Sequence, residues 1–204
     1  MGFYVNPPAD GFAEILNAGQ YVDKSRMIAY TNSVLNTPRK LICSSRPRRF
    51  GKSFAAKMLA AYYSKGADAR ALFEQLQIAE TDGDKQGYAC FAANLNKHDV
   101  IFVDITSFIS RAVDIRNTID DLQAEVIKEL KKEYPGCISQ ETKTLAAALM
   151  EVRAGTGNKF FIIIDEWDAL FREAKDNDGL QEAYIQFLRS LFKTAETPQI
   201  ISGA

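Results

Sequence analysis

Three stretches of the chain are apolar without a break: residues 41–43 (LIC), 100–103 (VIFV) and 160–164 (FFIII). None alternates between apolar and polar positions. Alternation marks a strand with one wet face, whereas an unbroken run suits a strand covered on both faces of a parallel sheet. Between and after these runs the apolar positions recur at helical spacing. The pattern predicts a helix over residues 25–35, ended by Asn36, Thr37 and Pro38. A second follows Gly51 to about Tyr63, with Phe54, Met58, Leu59 and Tyr62 on its inward face. A short piece over 69–77 centres on Leu72, Phe73 and Leu76. A long amphipathic helix is expected over 111–133, with Ile115, Ile119, Leu122, Val126, Ile127 and Leu130 inward. Further helices are expected over 142–153 and 180–194, the latter burying Tyr184, Phe187, Leu188, Leu191 and Phe192.

The remaining segments read as connections. Residues 1–20 carry Gly, Pro and Asn and should lie on the surface. Residues 79–96 read as a loop with broken helix and 172–179 as a polar loop, while 198–204 begin like another strand. The second strand is expected to extend over 99–106. Alternation of strands and helices implies an α/β fold, a three-layer sandwich of a parallel sheet between helices. Residues 1–39 form a leading segment with its helix, and 40–204 the core.

Composition changes this picture little. The hydrophobic share of 47% and charged share of 25% are ordinary for a globular domain. The net charge of -1 gives no bulk attraction to nucleic acid or membrane. No apolar run reaches a membrane span, and the N-terminus lacks the basic and apolar regions of a secretory signal. Cys43, Cys90 and Cys137 are widely spaced and form no metal pattern, which points to reduced thiols and a cytoplasmic setting. A single His98 makes a histidine metal site or a His-dependent nucleophile an unattractive reading; it and the cysteines are taken as structural.

The chemistry lies at the ends of two of the apolar runs. After residues 41–43 the chain reads SSRPRRFGKS and then turns helical. Strand, loop, Gly-Lys-Ser and helix is the layout of a phosphate-binding P-loop. A helix N-terminus leaves amides free and its dipole favours an anion. Gly51 admits close backbone approach, Lys52 supplies a charge to the β/γ-phosphates, and the Ser53 hydroxyl suits Mg²⁺. The first glycine of the general pattern is replaced by Arg46. Alone, Gly-Lys-Ser fits a basic loop capping a helix as well. The second motif is FIIIDEWDAL, where Asp165 and Glu166 end the third apolar run. Carboxylates at the C-terminal end of a parallel strand stand where α/β sheets bind ligands. This is a Walker B pattern, in which Asp165 would hold the Mg²⁺ shell and Glu166 would polarise a water. Its rival is a core strand followed by a helix start that favours acids. The inserted strand at 100–105 and the adjacent glutamate match the additional-strand, catalytic-glutamate class of P-loop proteins.

YVDKS at 21–25 admits two accounts: Tyr21 and Val22 pack while Asp23 or Ser25 caps the following helix, or the segment covers a nucleotide base. The run of Arg39, Lys40, Arg46, Arg48, Arg49, Lys52 and Lys57 also raises nucleic acid as a partner. The simpler account is that these charges serve a triphosphate, since no aromatic–basic interleaving extends the patch.

Taken in order, YVDKS, RPRRFGKS, LFEQLQI, VIFVDITSF and IIIDEWDAL resemble the AAA-ATPase-like domain of a bacterial family of predicted ATPases. The resemblance covers nearly the whole chain from about Phe12. It implies ATP and Mg²⁺ as cofactors, with ATP hydrolysis driving or switching an attached domain. A nucleotide-gated module with little turnover is the alternative. The loop ordinarily reads RPRRFGKS, so Arg46 fits the family. Trp167 stands where a tyrosine is usual and should keep an aromatic packing role. The expected nucleotide contacts are Arg46, Pro47, Arg48, Arg49, Phe50, Gly51, Lys52, Ser53 and Phe54. The catalytic set is Glu166, Lys52 and Arg49, and the metal ligands are Ser53 and Asp165. Family members typically continue through a Thr-Gly-Ile strand and a helical lid, and many carry a PD-(D/E)xK nuclease-like domain. The chain is therefore expected to be truncated at its C-terminus, with Ser202 the candidate polar sensor and self-association possible through the uncovered edge.

Overall fold

A computed structural model describes residues 2–19, 21–45, 50–83 and 91–204, with side chains of 81–83 left aside. The chain divides into two compact units, Met1–Phe102 with Phe160–Ile163 and Ile201–Ala204, and Val103–Lys159 with Ile164–Ile200.

The first unit holds most of the sheet. Strands β1 (Asp99–Asp104), β2 (Phe160–Asp165) and β3 (Ile201–Gly203) lie in the order β1-β2-β3. Strands β2 and β3 run parallel, with Phe160 opposite Ile201 and Phe161 opposite Gly203. The predicted runs at 100–103 and 160–164 are thus strands, and Val100, Ile101, Phe160 and Ile162 are buried. The first residues do not stay on the surface. Val5 bridges antiparallel to Ile101, the Asn6 amide donates to Val100 (2.8 Å) and the Phe102 amide to Tyr4 (2.8 Å). Asn6 adopts a left-handed φ of 50°, which asparagine tolerates, and its side-chain oxygen accepts from the Val100 amide.

Residues 41–43 depart from the prediction. They are not a strand, and Leu41 is 44% exposed. The Ile42 amide donates to the Ala204 carbonyl (2.7 Å) and the Ala204 amide to the Lys40 carbonyl (3.0 Å).

Helices α1 (Asp10–Asn17), α2 (Arg26–Val34), α3 (Lys52–Tyr63), α4 (Arg70–Phe73) and α5 (Phe91–Asn94) belong to this unit, with a 3₁₀ segment over Gln77–Gly83. The C-terminal half of α3 is buried on every side, from Met58 through Tyr63. The helical period therefore misplaces Phe54, which is 46% exposed. Tyr62 donates to the Phe91 carbonyl (2.7 Å) and accepts from Asn32 Nδ2 (3.1 Å). Tyr63 donates to Asn32 Oδ1 (2.7 Å) and is hydrogen-bonded to Thr31 Oγ1 (2.6 Å). Burial drives the Tyr63 phenol far above its ordinary value, so it remains a neutral donor. The Tyr63 ring also stacks on Phe161 at 4.2 Å between centroids.

The second unit contains α6 (Ile105–Arg111), α7 (Thr118–Glu133), α8 (Leu145–Thr156), α9 (Ala169–Glu173), α10 (Asp178–Phe192) and α11 (Thr197–Ile200). The helix predicted over 111–133 starts later. Ala112 is extended, and the Asp114 carboxylate accepts from the Arg116 amide to open a 3₁₀ turn over Ile115–Asn117. The strand predicted to reach 106 stops at Asp104, whose carboxylate caps α6 through the Thr106 amide (2.9 Å). The polar loop predicted from 172 begins inside α9, and α11 precedes β3. No helix among the described residues is long and apolar enough to cross a membrane.

Gly203 is fixed by packing. A Cβ there would stand 2.6 Å and 2.7 Å from the Phe161 ring and 2.9 Å from Leu35. Gly203→Ala should lower unfolding stability by about 1–3 kcal/mol, read as a shift of the urea midpoint. Gly179→Ala, whose Cβ has Asn177 Oδ1 as its nearest neighbour at 3.8 Å, should not destabilise. Equal midpoints for Gly203→Ala and the unaltered chain would contradict this packing.

Candidate functional site

In the first unit the site is the start of α3. Gly51 takes φ 75° and ψ 32°, a left-handed conformation that a side chain resists, and α3 begins at Lys52. Among the described residues no side chain caps this helix. Its first amides thus lack a side-chain acceptor, which is the condition that makes a helix N-terminus receptive to an anion. Lys52 and Ser53 are half-buried, while Phe50 and Phe54 are 59% and 46% exposed. The expected contacts from Arg46, Pro47, Arg48 and Arg49 lie outside the described residues.

The YVDKS segment reaches this point. The Asp23 carboxylate accepts from the Ser25 amide (2.7 Å) and from the Gln77 amide (2.7 Å), and Ser25 Oγ accepts from the Ile78 amide (2.9 Å). Tyr21 donates to Met58 Sδ (3.2 Å) and receives the Lys24 amide (3.4 Å). Burial raises the Tyr21 phenol, keeping it protonated for that contact. Ser25 occupies the N-cap position of α2 but makes no side-chain cap. Its hydroxyl serves the 3₁₀ segment instead, which corrects the capping account. Lys24 Nζ donates to the Phe50 carbonyl and stands 3.0 Å from the position of a Gly51 Cβ.

In the second unit the carboxylates gather where β1 and β2 end. Burial raises the Asp104 carboxyl above its ordinary value; the Thr106 and Ser107 amides oppose this, and the nearby Asp165 and Glu166 charges add to it. Asp165 is buried, and its Oδ1 accepts from the Glu166 amide (3.0 Å). Glu166 adopts φ 49°, an uncommon state for a glutamate. Its Oε2 pairs with Arg172 Nη2 at 2.7 Å, and Arg172 Nη1 pairs with Asp168 Oδ1 at 2.5 Å. Both acids raise the guanidinium pKa, Asp168 foremost. Tyr184 donates to the Trp167 carbonyl (2.8 Å), and Trp167 packs edge-on against Phe171 while staying 41% exposed. No group of three acidic, His or Cys side chains among the described residues could by itself hold a metal ion. Ser202, the candidate sensor, is buried and its hydroxyl donates to the Phe160 carbonyl (3.0 Å), so it serves the sheet. His98, read from the sequence as structural, lies in the first unit. It sits edge-on to Tyr63 and bonds Asn94, and burial lowers its pKa.

Sequence reasoning passed over Lys24 and Arg172. An acid four residues before a basic residue on a helix signals a pair, and Asp168 and Arg172 have that spacing. The contact of Lys24 with Phe50 spans 26 residues and leaves no periodic mark.

No curated protein and no solved structure matches the chain. A family model described as predicted AAA-ATPase, AAA-ATPase-like, matches residues 9–202. With that match covering nearly its full length, the chain belongs to the AAA-ATPase-like family.

Proposed function

We propose that this domain is a P-loop ATPase module of the additional-strand, catalytic-glutamate class that binds Mg·ATP. The observation that supports it most is the uncapped start of α3 behind a left-handed Gly51, where Lys52 and Ser53 follow at once. Amides of the first turn would take the phosphate oxygens and Lys52 would neutralise the β/γ charge, with the arginines of the preceding loop adding donors. The donor chemistry suits Mg²⁺, a hard cation that keeps most of its waters and takes few protein oxygens. Ser53 offers a hydroxyl and Asp165 a carboxylate for that shell. Bound Mg²⁺ would offset charge on the phosphates. Glu166 is the base that would orient and deprotonate water. In the family reading, turnover drives or switches an attached domain, for which a nuclease-like domain is the candidate.

One observation favours a second reading, a nucleotide-gated module with little turnover. The Glu166 carboxylate is engaged by Arg172 at 2.7 Å, and an oxygen held in that contact is not open to an attacking water.

Lys52→Ala removes the charge and leaves α3 intact. Its ATP affinity in calorimetry should fall about tenfold or more, since a charge-assisted contact contributes roughly 1.5–3 kcal/mol. Undiminished affinity would sink the P-loop reading. Glu166→Gln keeps the shape but not the base. In a protein that turns over ATP, its kcat should drop by about 10²–10⁴ with ATP binding preserved. An unchanged kcat would remove Glu166 from the chemistry, and absence of turnover in the unaltered protein would favour the second reading.

A further inference from the structure

The YVDKS segment is built more firmly than a helix lead-in requires. Three backbone amides, those of Ser25, Gln77 and Ile78, are bound by the side chains of Asp23 and Ser25. Tyr21 ties the same turn to Met58 within α3. Ser25 is fully buried. Between these anchored residues stands Lys24, exposed along its side chain, with its ammonium on the Phe50 carbonyl beside Gly51. A lysine on a flexible stem normally loses entropy when it is held at one point, and an exposed one has water as an alternative partner. Anchoring both neighbours lowers that cost by fixing where the stem starts.

The contact falls on the peptide that sets the direction of the next amides. The Phe50 carbonyl belongs to the same peptide plane as the Gly51 amide. Holding that oxygen orients the plane, and Gly51 in its left-handed state then feeds into the first turn of α3. An anion site gains affinity when its donors are aimed before the ligand arrives, because the ordering cost is already met.

We propose that Lys24 is a positioning residue of the α3 anion seat, tethering the Phe50–Gly51 peptide so that the amides following it face an incoming polyphosphate. This rests on the P-loop reading of the Gly51–Ser53 segment. It assigns to YVDKS a role on the phosphate side of the site, in place of covering a base.

The test uses inorganic tripolyphosphate, which has no base or sugar, as the calorimetric ligand for the full chain. Lys24→Met should weaken its binding by about tenfold, the loss expected for one charge-assisted contact, with an unchanged urea midpoint. Lys24→Arg, which restores a cationic donor, should recover most of that loss. Lys128→Met removes an exposed charge from α7, and should bind within about twofold of the unaltered chain, as expected for a screened surface charge. If Lys24→Met fails to fold, Lys24→Gln takes its place. Binding of Lys24→Met equal to that of the unaltered chain, while Lys52→Ala loses affinity, would overturn this inference and leave the P-loop reading standing. Equal losses in Lys24→Met and Lys128→Met would reduce Lys24 to bulk charge and overturn it too, as would failure of Lys24→Arg to restore binding. No binding by the unaltered chain, or undiminished binding by Lys52→Ala, would overturn both.

Discussion

Among the described residues the first amides of α3 have no side-chain cap, and the first unit holds that open helix start in place. A helix start left without a cap forgoes about 0.5–2 kcal/mol, so something else must keep it in place. Here the opposite end of the helix does so. Met58 to Tyr63 are enclosed, and the Tyr62 and Tyr63 hydroxyls are both satisfied by a network of Thr31, Asn32 and the Phe91 carbonyl. Asn96 adds three more bonds, to the carbonyls of Ala61, Tyr62 and Ser64. Buried phenols without partners would be costly, and satisfied ones accept only one arrangement. The helix is thus clamped at its C-terminal end and open at its N-terminal end, which suits a seat for an anion.

The second unit shows another kind of constraint. Glu166 sits at φ 49°, a backbone state that costs on the order of 1–3 kcal/mol for a residue other than glycine. It persists because the Asp165 carboxylate takes the Glu166 amide, the Ala169 amide takes the Glu166 carbonyl, and Arg172 takes the carboxylate. Strain held in place by several independent contacts clusters at functional positions, and here it falls on Glu166, the residue proposed above as the base. Arg172 joins Glu166 and Asp168 into one assembly, and Tyr184 pins the Trp167 carbonyl between them.

The sequence carries the parts of this account that rest on local patterns. The unbroken runs at 100–103 and 160–164 are strands because nothing polar interrupts them, and α3 starts at Lys52 because Gly51 and a helical period meet there. What was not legible depends on contacts between distant residues. The run at 41–43 is as apolar as the others, yet it is not a strand, and Leu41 is exposed. Val5 and Asn6 lie in a Pro- and Asn-rich stretch and still join the edge of β1, because Asn6 tolerates a left-handed turn and offers its amide to Val100. The break before α7 turns on one carboxylate, Asp114, and hydrophobic spacing is blind to it. Phe54 looks inward by period, but period describes only a helix with a dry and a wet side, and α3 changes from open to enclosed along its length.

The central claim is that the amides of Gly51, Lys52 and Ser53 receive phosphate oxygens. Backbone amide NMR of the labelled chain during an ATP titration reads those groups directly. The account predicts large, saturable downfield shifts at Gly51, Lys52 and Ser53, reproduced by tripolyphosphate and absent with adenosine. Shifts centred elsewhere with these three amides unmoved, or equal shifts with adenosine, would contradict it.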